Sequence, residues 1–134
     1  MPVEHKTEIS IRYAETDQMG TVHHAAYALY FEQARVEHLS AVGLPYHKLE
    51  EQGLLLPVVE MVIRYLKPFR FGEKITVVSR FLPVTGARLT VEYELYHEKE
   101  LMATGRTMHA FISKERKPLR PPREITERIS SEKS

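Results

Sequence analysis

The most consequential absence in this 134-residue chain is cysteine. Without a thiol there is no disulfide, no thiolate nucleophile and no thiolate-held metal. That usage suits a reducing compartment, and the expected location is the cytoplasm. No secretory leader is expected either, since Pro2, Glu4, His5 and Lys6 interrupt any apolar run at the start. No window approaches eighteen consecutive apolar residues, because 54–63 already contains Pro57 and Glu60. No integral membrane association is therefore expected. An excess of one charge is also missing. Nineteen Lys and Arg against eighteen Asp and Glu leave a formal net charge of +1, which gives nucleic acid or an anionic surface little to bind. Glycine-rich phosphate loops and His-Glu-x-x-His spacing are both lacking, so no metal site and no organic cofactor are expected.

What is present is the composition of one globular domain, with 43% hydrophobic and 28% charged residues. The domain is expected to span 1–134, with a core of about 3–114 and a charged, proline-containing tail over 115–134. Residues 3–13 alternate, with Val3, His5, Thr7, Ile9, Ile11 and Tyr13 on one face, as in a half-buried strand. From about 25 to 42 the period becomes helical. Tyr27, Tyr30, Phe31, Ala34, His38, Leu39 and Val42 form a stripe that Ala28 and Leu29 widen, predicting a helix apolar on nearly all sides. Glu32 and Arg35 are spaced to pair on its surface. Gly43 and Pro45 stop it, and 45–52 allows a short helix. Segments 58–66, 74–82, 87–97 and 101–113 read as strands separated by turn residues. A short helix is possible over 123–129, at an end expected to fray. This order predicts an α+β protein, a curved antiparallel sheet wrapped around one long central helix.

The chemistry concentrates in the turn before the long helix. Asp17 stands there with Gly20 close behind. Aspartates in such turns commonly bond nearby backbone N–H groups, which is one reading. The other is catalytic, because a helix start leaves free N–H donors that can stabilise an oxyanion beside the carboxylate. As a base Asp17 would deprotonate water. As a nucleophile it would form a mixed anhydride that water then opens. His24 enters through its backbone N–H rather than its ring. Gly20 serves backbone geometry or close substrate approach, and Tyr27 lines a pocket wall or fills core. Glu15 is expected to point away from Asp17. Lys67, Arg70, Arg80, Arg88 and Arg106 are the basic candidates for phosphate groups, with Arg88, near the Gly86 turn, preferred.

Tyr13, Thr16, Asp17, Gly20, Val22, His24, Tyr27, Tyr30, Phe31, Glu32, Ala34 and Arg35 form a pattern that resembles the 4-hydroxybenzoyl-CoA thioesterase superfamily. Within it the pattern is most similar to the small Tol–Pal-associated bacterial acyl-CoA thioesterases. The run 65–73, with Tyr65, Pro68, Arg70 and Gly72, looks like the strand and turn that follow the helix in that family. Met19 and Thr21 sit where the family varies, and His23 doubles a position that is often aromatic or aliphatic. The resemblance covers roughly residues 5–115 and implies a hotdog fold. It also implies hydrolysis of an acyl-CoA to free acid and CoA, with an aspartate at the position of Asp17. A homo-oligomer, dimer or tetramer, is implied too, because a lone hotdog leaves one sheet edge and its groove unfinished. Two other readings share that fold. One is a hydratase or dehydratase acting on acyl-CoA or acyl carrier protein through a ring histidine. The other is a non-catalytic acyl-binding protein.

Overall fold

A computed structural model of the chain describes residues 3–130. Five antiparallel strands, β1 (Val3–Ser10), β2 (Val58–Tyr65), β3 (Lys74–Phe81), β4 (Arg88–His97) and β5 (Glu100–Ala110), form one sheet in the order β1-β3-β4-β5-β2. Helix α1 (Tyr27–Ala41) continues from a 3-10 turn at His24–Ala26 and lies on one face of the sheet. Helices α2 (Tyr46–Glu51) and α3 (Arg123–Ser130) complete the described elements. The α+β architecture is as the sequence predicts, and each strand ends within three residues of its expected bounds.

The pairing register shows why these segments are strands. His5, Ser79, Tyr93, Gly105 and Ile63 lie in one cross-strand row on the helix side, and Thr7, Val77, Leu95, Ala103 and Tyr65 in the next. The opposite face carries the row Glu4, Arg80, Glu92 and Arg106, charges of alternating sign on neighbouring strands. Arg80 bonds Glu4 at 2.5 Å and Glu94 at 3.1 Å. Period-two alternation therefore separates an apolar face from a charged one.

One contact sets how closely α1 approaches the sheet. A Cβ placed on Gly105 would lie 2.2 Å from Cζ of Phe31, so the helix ring rests directly on the β5 backbone. Phe31 then stacks on Tyr93 with ring centroids 4.3 Å apart.

Four expectations are corrected. Strand β1 ends at Ser10, and Tyr13 enters a 3-10 turn (Tyr13–Glu15), because the Glu15 carboxylate draws in both the Arg12 N–H at 3.0 Å and its guanidinium at 2.8 Å. Tyr13 is consequently 76% exposed. Helix α1 is not covered on all sides: Glu32, Gln33 and Glu37 face solvent and Leu29 is half exposed, since one sheet covers one face. Arg35 does not pair with Glu32 on the surface. It turns inward and donates to the hydroxyls of Tyr46 and Tyr93, both at 3.2 Å. Finally, α3 is docked rather than frayed, with Ile125 and Ile129 in the core and Arg128 donating to the carbonyl of Val42 at the end of α1.

The buried Arg35 opens a chain of defined direction. Arginine can only donate and a carbonyl can only accept, so the bonds run from Arg35 to Tyr93, from Tyr93 to Thr107 at 2.7 Å and from Thr107 to His109 Nε2 at 2.8 Å. His109 Nδ1–H then donates to the carbonyl of Leu56 at 3.2 Å. His109 is thereby held as its neutral Nδ1–H tautomer. Burial and the nearby Arg35 push its pKa down to about 4.

Candidate active site

Residues 15–23 form a small antiparallel hairpin ahead of the helix. The His23 N–H donates to the Glu15 carbonyl at 2.8 Å and the Asp17 N–H to the Thr21 carbonyl at 2.8 Å, while Thr16 bridges to Val22. Gly20 takes φ of +79° at the tip, with open space where a Cβ would sit. Its need is for backbone conformation rather than for room. The hairpin is fastened to the rest of the fold on two sides. Thr21 bridges to Arg70, and the Val22 N–H donates to the Phe69 carbonyl. On the helix side, the buried Tyr30 donates to the Glu15 carboxylate at 2.8 Å.

Glu15 does point away from Asp17. Burial works against its charge, but the Arg12 N–H, the Arg12 guanidinium and the Tyr30 hydroxyl together hold its carboxyl below the usual range. It fastens the hairpin to Arg12 and to the helix.

The Asp17 side chain is exposed to solvent and held in one orientation by its own hairpin. Its Oδ1 accepts the N–H groups of Met19 at 2.9 Å and Thr21 at 3.2 Å, and its Oδ2 accepts the Thr21 hydroxyl at 2.8 Å. The Thr21 hydroxyl above all, with the two backbone donors, holds its pKa below the usual aspartate value. A carboxylate offers about four acceptor positions, so Oδ2 keeps one free. The turn-forming and reactive readings of Asp17 therefore coexist in one geometry: an ionised carboxylate, oriented from behind, with one acceptor position open to solvent.

The start of the helix provides the complementary group. The Ala25 N–H is taken by His23 Nδ1 at 3.1 Å, and the Ala26 N–H by the His23 carbonyl at 2.9 Å. Among the described residues no acceptor meets the N–H of His24. The rings of His23 and His24 stack at 4.2 Å, outside the core. Tyr27, one turn further, is buried, and burial pushes its phenol up. Its ring is set edge-on to Tyr65 at 4.8 Å and to Tyr30 at 5.9 Å.

Sequence and architecture together identify the family: residues 11–129 match the thioesterase-like superfamily. The chain belongs to it. Among related members, the protein of Bacillus subtilis described as "Putative acyl-CoA thioesterase YneP" is 37% identical over 111 residues, covering 82% of this chain and 80% of its own. The crystal structure of DHNA-CoA thioesterase from Staphylococcus aureus is 38% identical and superposes with a TM-score of 0.83, over 87% of this chain and 80% of that one. The crystal structure of the hypothetical protein TT1821 from Thermus thermophilus is 41% identical with a TM-score of 0.89 over 96% of both chains. The thioesterase-like fold is the hotdog arrangement that the resemblance implied.

In this superfamily member Asp17 and Gly20 lie in the hairpin that leads into the helix entry at His24, and Tyr27 follows one turn further on. Arg88 does not join them. Glu73, just after the Arg70–Thr21 bridge, lies 3.5 Å from His97, which places the Asp17 hairpin near the C-terminal end of β4. Arg88 begins β4 nine residues away, on the order of 30 Å along the strand. Of the other basic candidates, Arg80 and Arg106 lie on the charged outer face of the sheet and Lys67 is paired with Glu100. Arg70 sits beside the Asp17 hairpin.

The sequence did not show what four residues around the hairpin and helix entry bond: Thr21, His23, Tyr30 and Tyr65. Thr21 was within reach, because a threonine four residues after a turn aspartate can close the turn onto its carboxylate. Tyr65 gave no local signal, since its hydroxyl bonds the His24 carbonyl at 3.0 Å from forty-one residues away. No described helix is long and apolar enough to cross a membrane.

Proposed function

We propose that this protein hydrolyses the thioester of an acyl-CoA to the free acid and CoA. The observation that carries this reading is that an ionised, solvent-facing Asp17 and an unengaged His24 N–H both lie in the short segment entering the helix of a thioesterase-like fold. The names of YneP and of the Staphylococcus aureus enzyme support a CoA thioester as the substrate class.

The roles follow from the chemistry of each group. The thioester carbonyl lies against the His24 N–H, which stabilises the oxygen as negative charge develops, an effect typically worth about 3 kcal/mol. Asp17 uses the open position on Oδ2 either to take a proton from attacking water or to add to the carbonyl itself. Its low pKa keeps it ionised throughout the neutral range. Gly20 leaves the hairpin tip without a side chain, and Tyr27 forms a wall beside the acyl group. The hairpin backs Asp17 on one side only, and a second copy supplies the opposite wall.

The test is thiol release from a panel of short, long and aromatic acyl-CoAs. Asp17→Asn keeps one oxygen to accept the Met19 and Thr21 N–H groups, turns the other position into a donor toward the Thr21 hydroxyl, and removes charge and basicity. It is expected to lower kcat by two to four decades, roughly the range attributed to a positioned base. Near wild-type turnover by the folded variant, checked by circular dichroism, would sink the assignment.

A further inference from the structure

The peptide joining His24 to Ala25 is gripped at both ends. Its carbonyl accepts the Tyr65 hydroxyl at 3.0 Å, and its N–H donates to His23 Nδ1 at 3.1 Å. The neighbouring peptide, whose N–H belongs to His24, has its carbonyl engaged by the Ala26 N–H at 2.9 Å, and His23 itself is tied back to Glu15 at 2.8 Å. We propose that Tyr65 and His23 are positioning residues that fix the direction of the His24 N–H. This inference rests on the hydrolase reading and adds to it the groups that hold its oxyanion donor in place.

Two features separate this grip from ordinary packing. Tyr65 is 49% exposed, so its hydroxyl is not driven inward by burial, yet its ring is set edge-on against the buried Tyr27 and aims the hydroxyl at one carbonyl. His23 caps the helix entry with an imidazole nitrogen, where Ser, Thr, Asp or Asn usually serves. Nδ1 can accept only when it carries no proton, so the cap requires the Nε2–H tautomer. An oxyanion donor helps most when it needs no reorganisation as charge develops. A released peptide would rock, and the loss would fall on the chemical step more than on substrate binding, because the ground-state carbonyl makes weaker use of the donor.

The experiment compares Tyr65→Phe, His23→Ala and His23→Asn with wild type, using thiol release from a hydrolysed acyl-CoA, and runs Asp17→Asn alongside. Tyr65→Phe removes one hydroxyl and keeps the ring, so its fold is retained. Tyr65→Phe and His23→Ala are each expected to lower kcat about tenfold, with KM within about twofold. His23→Asn, whose amide oxygen can cap the same N–H, is expected to return kcat to within about threefold of wild type. Wild-type kcat in Tyr65→Phe or in His23→Ala overturns the inference, as does an equal loss in His23→Asn and His23→Ala. If Asp17→Asn is inactive while Tyr65→Phe and His23→Ala are unimpaired, the grip fails and the hydrolase reading stands. A fully active Asp17→Asn brings down that reading instead.

Discussion

At the residue scale, the histidines divide by what surrounds them. In the proposed mechanism His24 offers its backbone, so His24→Ala is expected to keep activity within about tenfold of wild type, because the peptide donor survives the change. A loss as severe as that of Asp17→Asn would show instead that the ring takes part in the chemistry. His38 and His109 are fully buried. His38 stacks with both the His5 and the Phe81 rings and is bonded through Nδ1 to Ser79 at 2.8 Å, and among the described residues its Nε2 has no partner. Burial first, with the nearby His5, pushes its pKa down to about 4, and His109 falls to about 4 as well. In the unfolded chain both would take a proton near 6.5. Below that pH the unfolded state binds protons that the folded state refuses. Stability is therefore complete above about pH 6.5 and falls as pH drops toward 4, at about 1.4 kcal/mol per pH unit for each ring. Urea unfolding at pH 7 and pH 5 should show a clearly lower unfolding free energy at pH 5. Equal values would contradict the assignment of both rings as neutral.

At the element scale, the approach of α1 to β5 depends on a missing side chain. Phe31 lies over Gly105 and is backed by Tyr93, so it cannot move aside for a new methyl group. Gly105→Ala is expected to lower stability by about 1–3 kcal/mol, the usual penalty for overpacking a filled core. A thermal melt at or above the wild-type midpoint would refute this contact as the determinant of helix placement. Elements also explain what was hard to read. Helix α1 buries Arg35 and His38 while exposing Leu29, so its apolar and polar residues do not divide cleanly around the axis. The burial of one arginine is compensated by two tyrosine hydroxyls from α2 and β4, which no helical periodicity announces.

At the scale of the whole molecule, β2 is an edge strand with no partner on its outer side among the described residues. It exposes Val59 by 51%, Met61 by 37%, Val62 by 42% and Tyr65 by 49%. A bare edge of this kind is a template for further pairing. Antiparallel pairing of two β2 strands about a two-fold axis would set the Arg88 end of one chain toward the Asp17 end of the other. That would give Asp17 the wall it lacks and bring a basic residue toward the site from the second copy. It would also draw on the strand that carries Tyr65, and so on the His24 peptide. Activity and assembly are therefore expected to be lost together on dilution or on placing a charge at Val62. Light scattering that found a stable, fully active species of 15.6 kDa would overturn this.

The sequence by itself determined the elements and the Asp17 turn. Alternation in β4, where Leu89, Val91, Tyr93 and Leu95 all point inward, and the stripe from Tyr27 to Leu39 are local periodicities, enforced by backbone geometry wherever one face is buried. Asp17, Gly20 and Thr21 are close in the chain, and their hairpin needs little beyond its own bonds. The tertiary structure decided which distant residues meet. It turned Arg35 inward, carried Arg88 to the far end of the sheet, and brought Tyr65 onto the His24 carbonyl. Those outcomes depend on strand order and register, which are set by the sum of many long-range contacts rather than by any segment's own preference.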